Sequence, residues 1–113
     1  MSCLFCRIAQ HEIPSAVVYE DDQVLAFRDI KPQAPVHVLV IPKEHLSDLN
    51  DLTPQRQALA GHLVTVAAQL AKAEGLASEG YRVVANTGEN AGQTVPHLHV
   101  HLLGGRGFGW PPG

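Results

Sequence analysis

The sequence predicts an α+β domain, a five-stranded antiparallel meander sheet with one long helix and a short N-terminal helix. Three observations lead there. Five short runs of apolar, strand-forming character lie between turn-forming residues. One segment alone carries an apolar stripe at helical spacing over several turns. The chain has 113 residues, 45% of them apolar, which is enough for one compact core and gives a single domain over residues 1–113.

The elements follow in chain order. Residues 3–10 place Leu4, Phe5, Ile8 and Ala9 at helical spacing until Pro14 forbids continuation. Residues 16–20 and 24–28 are β-rich runs joined by Asp21-Asp22-Gln23, an antiparallel hairpin. Pro32 and Pro35 make residues 30–36 an ordered loop. Residues 36–41 are apolar on both faces, as a central strand requires, and Pro42 ends it. The long helix starts with Thr53 as its cap and Pro54 in its first position. Leu59, Leu63, Val66, Ala67 and Leu70 form its core stripe, Gly75 stops it, and His62 falls off the stripe as an exposed residue. Residues 81–86 and 98–103 are the last strands, joined by a glycine-containing loop over 87–96, and residues 104–113 form an irregular tail.

Composition narrows the function classes. A net charge of −3, with no basic block, argues against a broad electrostatic grip on nucleic acid, so a phosphate ligand has to be held locally. No N-terminal leader pattern and no apolar run of about 18 residues is present, which leaves no membrane partner and the cytoplasm as the expected location. In a reducing compartment Cys3 and Cys6, two residues apart, read as half a zinc site or a redox pair before a structural disulfide.

The chemistry concentrates in His97-Leu98-His99-Val100-His101. On a strand all three imidazoles project from one face while Leu98, Val100 and Leu102 enter the core. His11 and His62, by contrast, read as ordinary structural or surface histidines. Just upstream, Asn90-Ala91-Gly92-Gln93-Thr94 can turn backbone N–H groups toward an anion, with Gln93 and Thr94 adding neutral donors. A nucleophile and a cradle for the oxygens around its target are thus encoded side by side. A competing reading, a metal-dependent hydrolase with His97, His99 and His101 on one zinc, meets a geometric obstacle. At ~3.3 Å per residue the outer Cα atoms lie roughly 13 Å apart.

The run from Gly92 to Leu103, with Phe27-Arg28-Asp29-Ile30, Pro32-Gln33-Ala34-Pro35 and His37-Val38-Leu39-Val40-Ile41-Pro42-Lys43, resembles the signature of the histidine-triad (HIT) family. Gly104-Gly105-Arg106 and Trp110-Pro111-Pro112-Gly113 are similar to its Hint branch of purine nucleoside phosphoramidases. The resemblance implies the HIT-like fold and a hydrolase that cleaves a nucleoside monophosphate from phosphoramidates or acyl-adenylates through a covalent nucleotidyl-histidine. It assigns His99 as nucleophile, His101 to the phosphate and His37 to the proton relay. Asp29 is assigned to the ribose, and Phe5, Ile8, Phe27, Ile30 and Leu39 to the base. Asn86, Gly92, Gln93 and Thr94 complete the nucleotide-binding set with His99 and His101. Two positions depart from the usual Hint pattern, Thr94 where serine is frequent and the Cys3/Cys6 pair.

That pair resembles the zinc-bearing members, and the resemblance selects His45 and His97 to complete a structural Zn(2+) site with Cys3 and Cys6; no organic cofactor is implied. It also implies a homodimer with Trp110 near the partner's site. A nucleotide-binding regulatory or interaction module is the alternative to an enzyme, and intact His99 and Asp29 weigh against it.

Overall fold

The computed structural model describes residues 3–113. The elements are helix α1 (Leu4–Ala9), strands β1 (Val17–Glu20), β2 (Val24–Arg28) and β3 (Val36–Pro42), helix α2 (Gln57–Ala73), and strands β4 (Tyr81–Val84) and β5 (Val100–Gly104). All five strands join one antiparallel sheet in the order β1-β2-β3-β5-β4. The fold class is the expected one, but the last two strands do not continue a meander. The connection through α2 returns the chain so that β4 runs parallel to β3, and consecutive strands that run the same way need such a helical crossover rather than a hairpin. β5 then slots between them and pairs antiparallel with both, leaving β4 at the edge.

The central strands are apolar on both faces because each face is covered. Val24, Ala26, Val38, Val40, Val100 and Leu102 meet Leu59, Leu63, Val66, Ala67 and Ala71 of α2. On the other face Leu25, Phe27, Leu39 and Ile41 meet Phe5, Ile8 and Ala9 of α1. Strand alternation sets His37 and His101 on the α1 face, since Val38 and Leu102 beside them point at α2.

Several boundaries differ from expectation for local reasons. Thr53 makes no side-chain cap; Pro54–Arg56 form a 3-10 turn and α2 begins at Gln57. Ala71 takes the fully buried place at the end of the stripe, with Leu70 only half-buried. β5 starts at Val100, because the N–H of His97 bonds back to the Val95 carbonyl and that of Leu98 to Leu46. β4 ends at Val84, before the loop. His62 is half-buried and paired with Asp21, which also accepts from the Tyr19 hydroxyl, tying the β1–β2 turn to α2. Among the described residues no helix is long and apolar enough to cross a membrane.

Candidate active site and metal cluster

His99 is buried, and its Nδ1 lies 2.7 Å from the carbonyl oxygen of His97. A carbonyl only accepts, so Nδ1 carries a proton, and in the neutral ring the lone pair is on Nε2. The ring stands edge-on to Phe5 at 5.2 Å and against His101 at 4.9 Å. Those two rings confine it to one orientation.

A second chain of partners sets the neighbouring protons. The Gln33 N–H donates to His37 Nδ1 at 3.0 Å, which places the His37 proton on Nε2. That Nε2–H donates to His101 Nδ1 at 2.9 Å, so His101 carries its own proton on Nε2. Asp29 Oδ2 lies 3.5 Å from His37 Nε2, while its Oδ1 accepts the Lys31 N–H at 2.8 Å. Burial holds both rings neutral: His37 is pushed below the usual imidazole range, and His101 falls to about 4, with His99 and His37 adding repulsion.

These groups open onto a cleft of about 540 Å³ under α1. Phe5, Ile8, Phe27, Leu39 and Ile30 give it an apolar wall, and Asp29, Thr94, His99 and His101 supply its polar side. Ile30 is 91% exposed and stands at the mouth rather than in the wall. Asn86, Gly92 and Gln93 are not brought to the cleft. The N–H groups of Ala91, Gly92 and Gln93 all bond to Gly88 or Glu89 carbonyls, closing a 3-10 turn that ends at Gly92 with φ 80°. The Gln93 carboxamide accepts from the Gly88 N–H and donates to the carbonyls of Ser47 and Val95. Its amide organises the loop, and Thr94 and Val95 are the loop residues that line the cleft. Sequence reading missed Ile13, Ser15 and Lys31 in the lining, and Gln33 in the relay. The first three sit on connecting segments with no periodicity to expose them, and Gln33 acts through its backbone.

The three triad rings do not converge. His97 is fully buried and turns from His99 toward the N-terminus, where its Nδ1 lies 3.4 Å from Cys3 Sγ, 3.5 Å from Cys6 Sγ and 3.1 Å from His45 Nδ1. Cys6 Sγ lies 3.2 Å from His45 Nδ1, and all four donor atoms fall within 4.8 Å of one another. Nitrogen and sulfur ligands at about 2.0–2.3 Å from a tetrahedral ion would stand roughly 3.3–3.8 Å apart, so the cluster fits a metal. The His97 Nε2–H is directed at the Pro42 carbonyl at 2.9 Å, leaving Nδ1 free to ligate. Without a cation, burial and the neighbouring Cys3 push the Cys6 thiol up to about 11.

Asp29, His37 and His101 are also close enough to hold an ion. Their protons argue otherwise, because a metal on His37 Nε2 would move its proton to Nδ1 and break the Gln33 bond. A single zinc on His97, His99 and His101 is excluded by the directions of the rings.

The HIT domain model matches residues 10–108. The chain belongs to the HIT family. It is 57% identical over 110 residues to an uncharacterized HIT-like protein of Synechococcus elongatus, covering 97% of this chain and 96% of that one. It is 49% identical over 106 residues to the purine nucleoside phosphoramidase of Escherichia coli, covering 94% of this chain and 89% of the enzyme. The crystal structure of a HIT family hydrolase from Legionella pneumophila superposes with a TM-score of 0.97 at 54% identity, over 99% of this chain and 100% of the other. The five-stranded antiparallel sheet with its long helix is therefore the HIT fold.

Proposed function

We propose that this HIT protein is a purine nucleoside phosphoramidase, a hydrolase that releases a purine nucleoside monophosphate from phosphoramidates and acyl-adenylates. The observation that carries the proposal is the proton on His99 Nδ1, held by the His97 carbonyl, which makes Nε2 the nitrogen available as nucleophile in the cleft. Nε2 attacks phosphorus, forming an N–P bond as the bond from phosphorus to the leaving amine or carboxylate breaks. An amine leaving group takes its proton from the Nε2–H of His101 as His37 passes its own Nε2 proton to His101 Nδ1. The proton released by the attacking water of the second step returns along the same path to His37, and a carboxylate leaves without needing one. Water then cleaves the nucleotidyl-histidine. The base lies among Phe5, Ile8, Phe27, Ile30 and Leu39, and the ribose hydroxyls lie on Asp29, an acceptor suited to a diol. Thr94, His99 and His101 hold the phosphate, while Gly92 and Gln93 shape the loop that presents Thr94. Identity with the E. coli enzyme supports the same substrate class.

The metal cluster fits zinc, with thiolates from Cys3 and Cys6 and imidazoles from His45 and His97. When bound, it would tie α1 to the catalytic strand and hold His97, whose carbonyl orients His99. We place the protein in the cytoplasm, where these thiols stay reduced. A homodimer is supported by the open edge of β4 and by Val64, Tyr81 and Val83, which expose apolar surface beside it, with Trp110 exposed on the tail.

Intact-mass spectrometry after acid-free quenching tests the mechanism. One added nucleoside monophosphate is expected on the native chain and none on His99→Ala; turnover without any adduct on the native chain, or an adduct on the variant, overturns it.

A further inference from the structure

The Gly104-Gly105-Arg106 segment leaves β5 at Gly104, and its arginine, outside the cleft lining, reaches back to the loop before β3. Gly105 has φ 90°, and a Cβ there would meet Pro35 at 2.9 Å, so only glycine lets the chain turn this closely over that loop. Arg106 Nε–H then donates to the Gln33 carbonyl at 2.9 Å and Nη1–H to the Gly107 carbonyl at 2.9 Å. The guanidinium lies 4.3 Å from the centre of the Phe108 ring, whose position is shared with Arg82 at 5.0 Å. Arg82 in turn donates to the Gly109 carbonyl at 2.8 Å. The tail is thus anchored on β4 and reaches Gln33 through one charged hydrogen bond.

Gln33 is the residue whose N–H sets the proton of His37. We propose that Arg106 is a positioning residue for the proton relay: by holding the Gln33 carbonyl it keeps the Gln33 N–H aimed at His37 Nδ1 and so keeps the His37 proton on Nε2, facing His101. The inference rests on the relay role given to His37 above. A neutral imidazole has two tautomers of similar energy, and one hydrogen bond decides between them. In the Nδ1–H tautomer His37 would turn a lone pair toward the lone pair on His101 Nδ1, and the relay would have no proton to pass. The Gln33 carboxamide bonds to the Lys31 carbonyl at 3.1 Å, which closes this short turn but leaves the Gln33 carbonyl to Arg106. Asp29 Oδ2, at 3.5 Å, also favours a proton on His37 Nε2, so loss of Arg106 weakens the preference without reversing it.

The test uses the full chain labelled with 15N, whose histidine side-chain spectra report the protonated nitrogen directly, together with kinetics on an adenosine phosphoramidate. In the native protein His37 shows a protonated Nε2 and a bare Nδ1. Arg106→Gln is expected to move the His37 signals toward a mixture of tautomers and to lower kcat about fivefold with KM held within about twofold, the effect of one modest hydrogen bond. Arg106→Lys, which keeps a cationic donor, recovers most of both. A native His37 protonated on Nδ1 overturns the proposal. So does an Arg106→Gln protein with native tautomer signals, one whose loss falls on KM alone, or one that fails to fold. Absence of turnover in the native protein would instead refute the proposed reaction, and the tautomer spectra would still decide the role of Arg106.

Discussion

The carbonyl oxygen of His97 accepts the Nδ1–H of His99, while the His97 ring points the opposite way, into the Cys3, Cys6 and His45 cluster. One residue therefore orients His99 with its backbone and completes a cluster able to hold a metal with its side chain. The two sites are built separately but share a support, and that arrangement separates what their variants should do.

His99→Ala removes the only ring in the cleft whose cleft-side nitrogen is bare by construction. Turnover should fall by several powers of ten, as loss of an essential nucleophile does, while mononucleotide binding stays within about tenfold because the apolar wall is untouched. Steady-state kinetics beside calorimetric binding of the mononucleotide check this; more than about a hundredth of native activity would exclude the covalent route.

The strands and the triad were legible because their signals are periodic. Residues 36–41 announce a strand covered on both faces, and the alternating histidines share a face wherever the strand runs. The metal set required kinship to pick His45 and His97 from seven histidines, since nothing in spacing joins residues so far apart. Tertiary placement alone decided the rest. The Gln93 carboxamide looks like a phosphate donor until its partners at Gly88, Ser47 and Val95 are seen. His62 looks like a solvent residue until the hairpin brings Asp21 to it. Strand order was misjudged because local turn signals do not reveal that α2 makes a crossover.

Acid should destabilise the fold through its buried neutral imidazoles. His101 titrates at about 4 when folded, and His37 is also lowered, against an ordinary value near 6.5. Between those values the unfolded chain binds more protons, so stability is fully present above about 6.5 and falls as pH drops toward 4. Denaturant melts at pH 7 and pH 5 should show the loss, and His101→Asn should flatten the dependence. A melt equally stable at both values would contradict the assignment of neutral buried rings.

Cys6→Ala takes one sulfur from the cluster that would tie α1 to the strand of the triad when a metal binds. Zinc content should drop well below one per chain, and the melting temperature should fall by about 5–10 °C, the equivalent of roughly 1–2 kcal/mol in a chain this small. His99 should still form its adduct, since its orientation comes from a backbone carbonyl. Elemental analysis with calorimetry measures the first two together; a native chain purified without chelators and lacking metal would remove the basis for the site.

Leu63 is 1% exposed at the contact between α2 and the sheet. Leu63→Ala should cost about 2–5 kcal/mol in denaturant unfolding, from lost burial plus the cavity left behind. kcat and KM of the remaining folded protein should be close to native, because the helix covers the face opposite the cleft. A change in activity larger than the loss of folded protein would mean that the two faces are coupled.

Gln93→Ala distinguishes an organiser from a ligand. If the carboxamide touched the phosphate, its removal would raise KM and leave stability alone. The structure commits it to an N–H and two carbonyls of its own surroundings, bonds that bridge the loop before the triad to Ser47 and to Val95. Three backbone groups lose a partner together, and at about 0.5–1.5 kcal/mol for each net bond the fold should lose roughly 1–3 kcal/mol, water replacing part of what is removed. The loop would then release Thr94 from the cleft edge and Val95 from its packing against α1, so kcat/KM should fall as well. Unfolding and kinetics on one preparation decide the matter: native stability with a raised KM would return Gln93 to the phosphate.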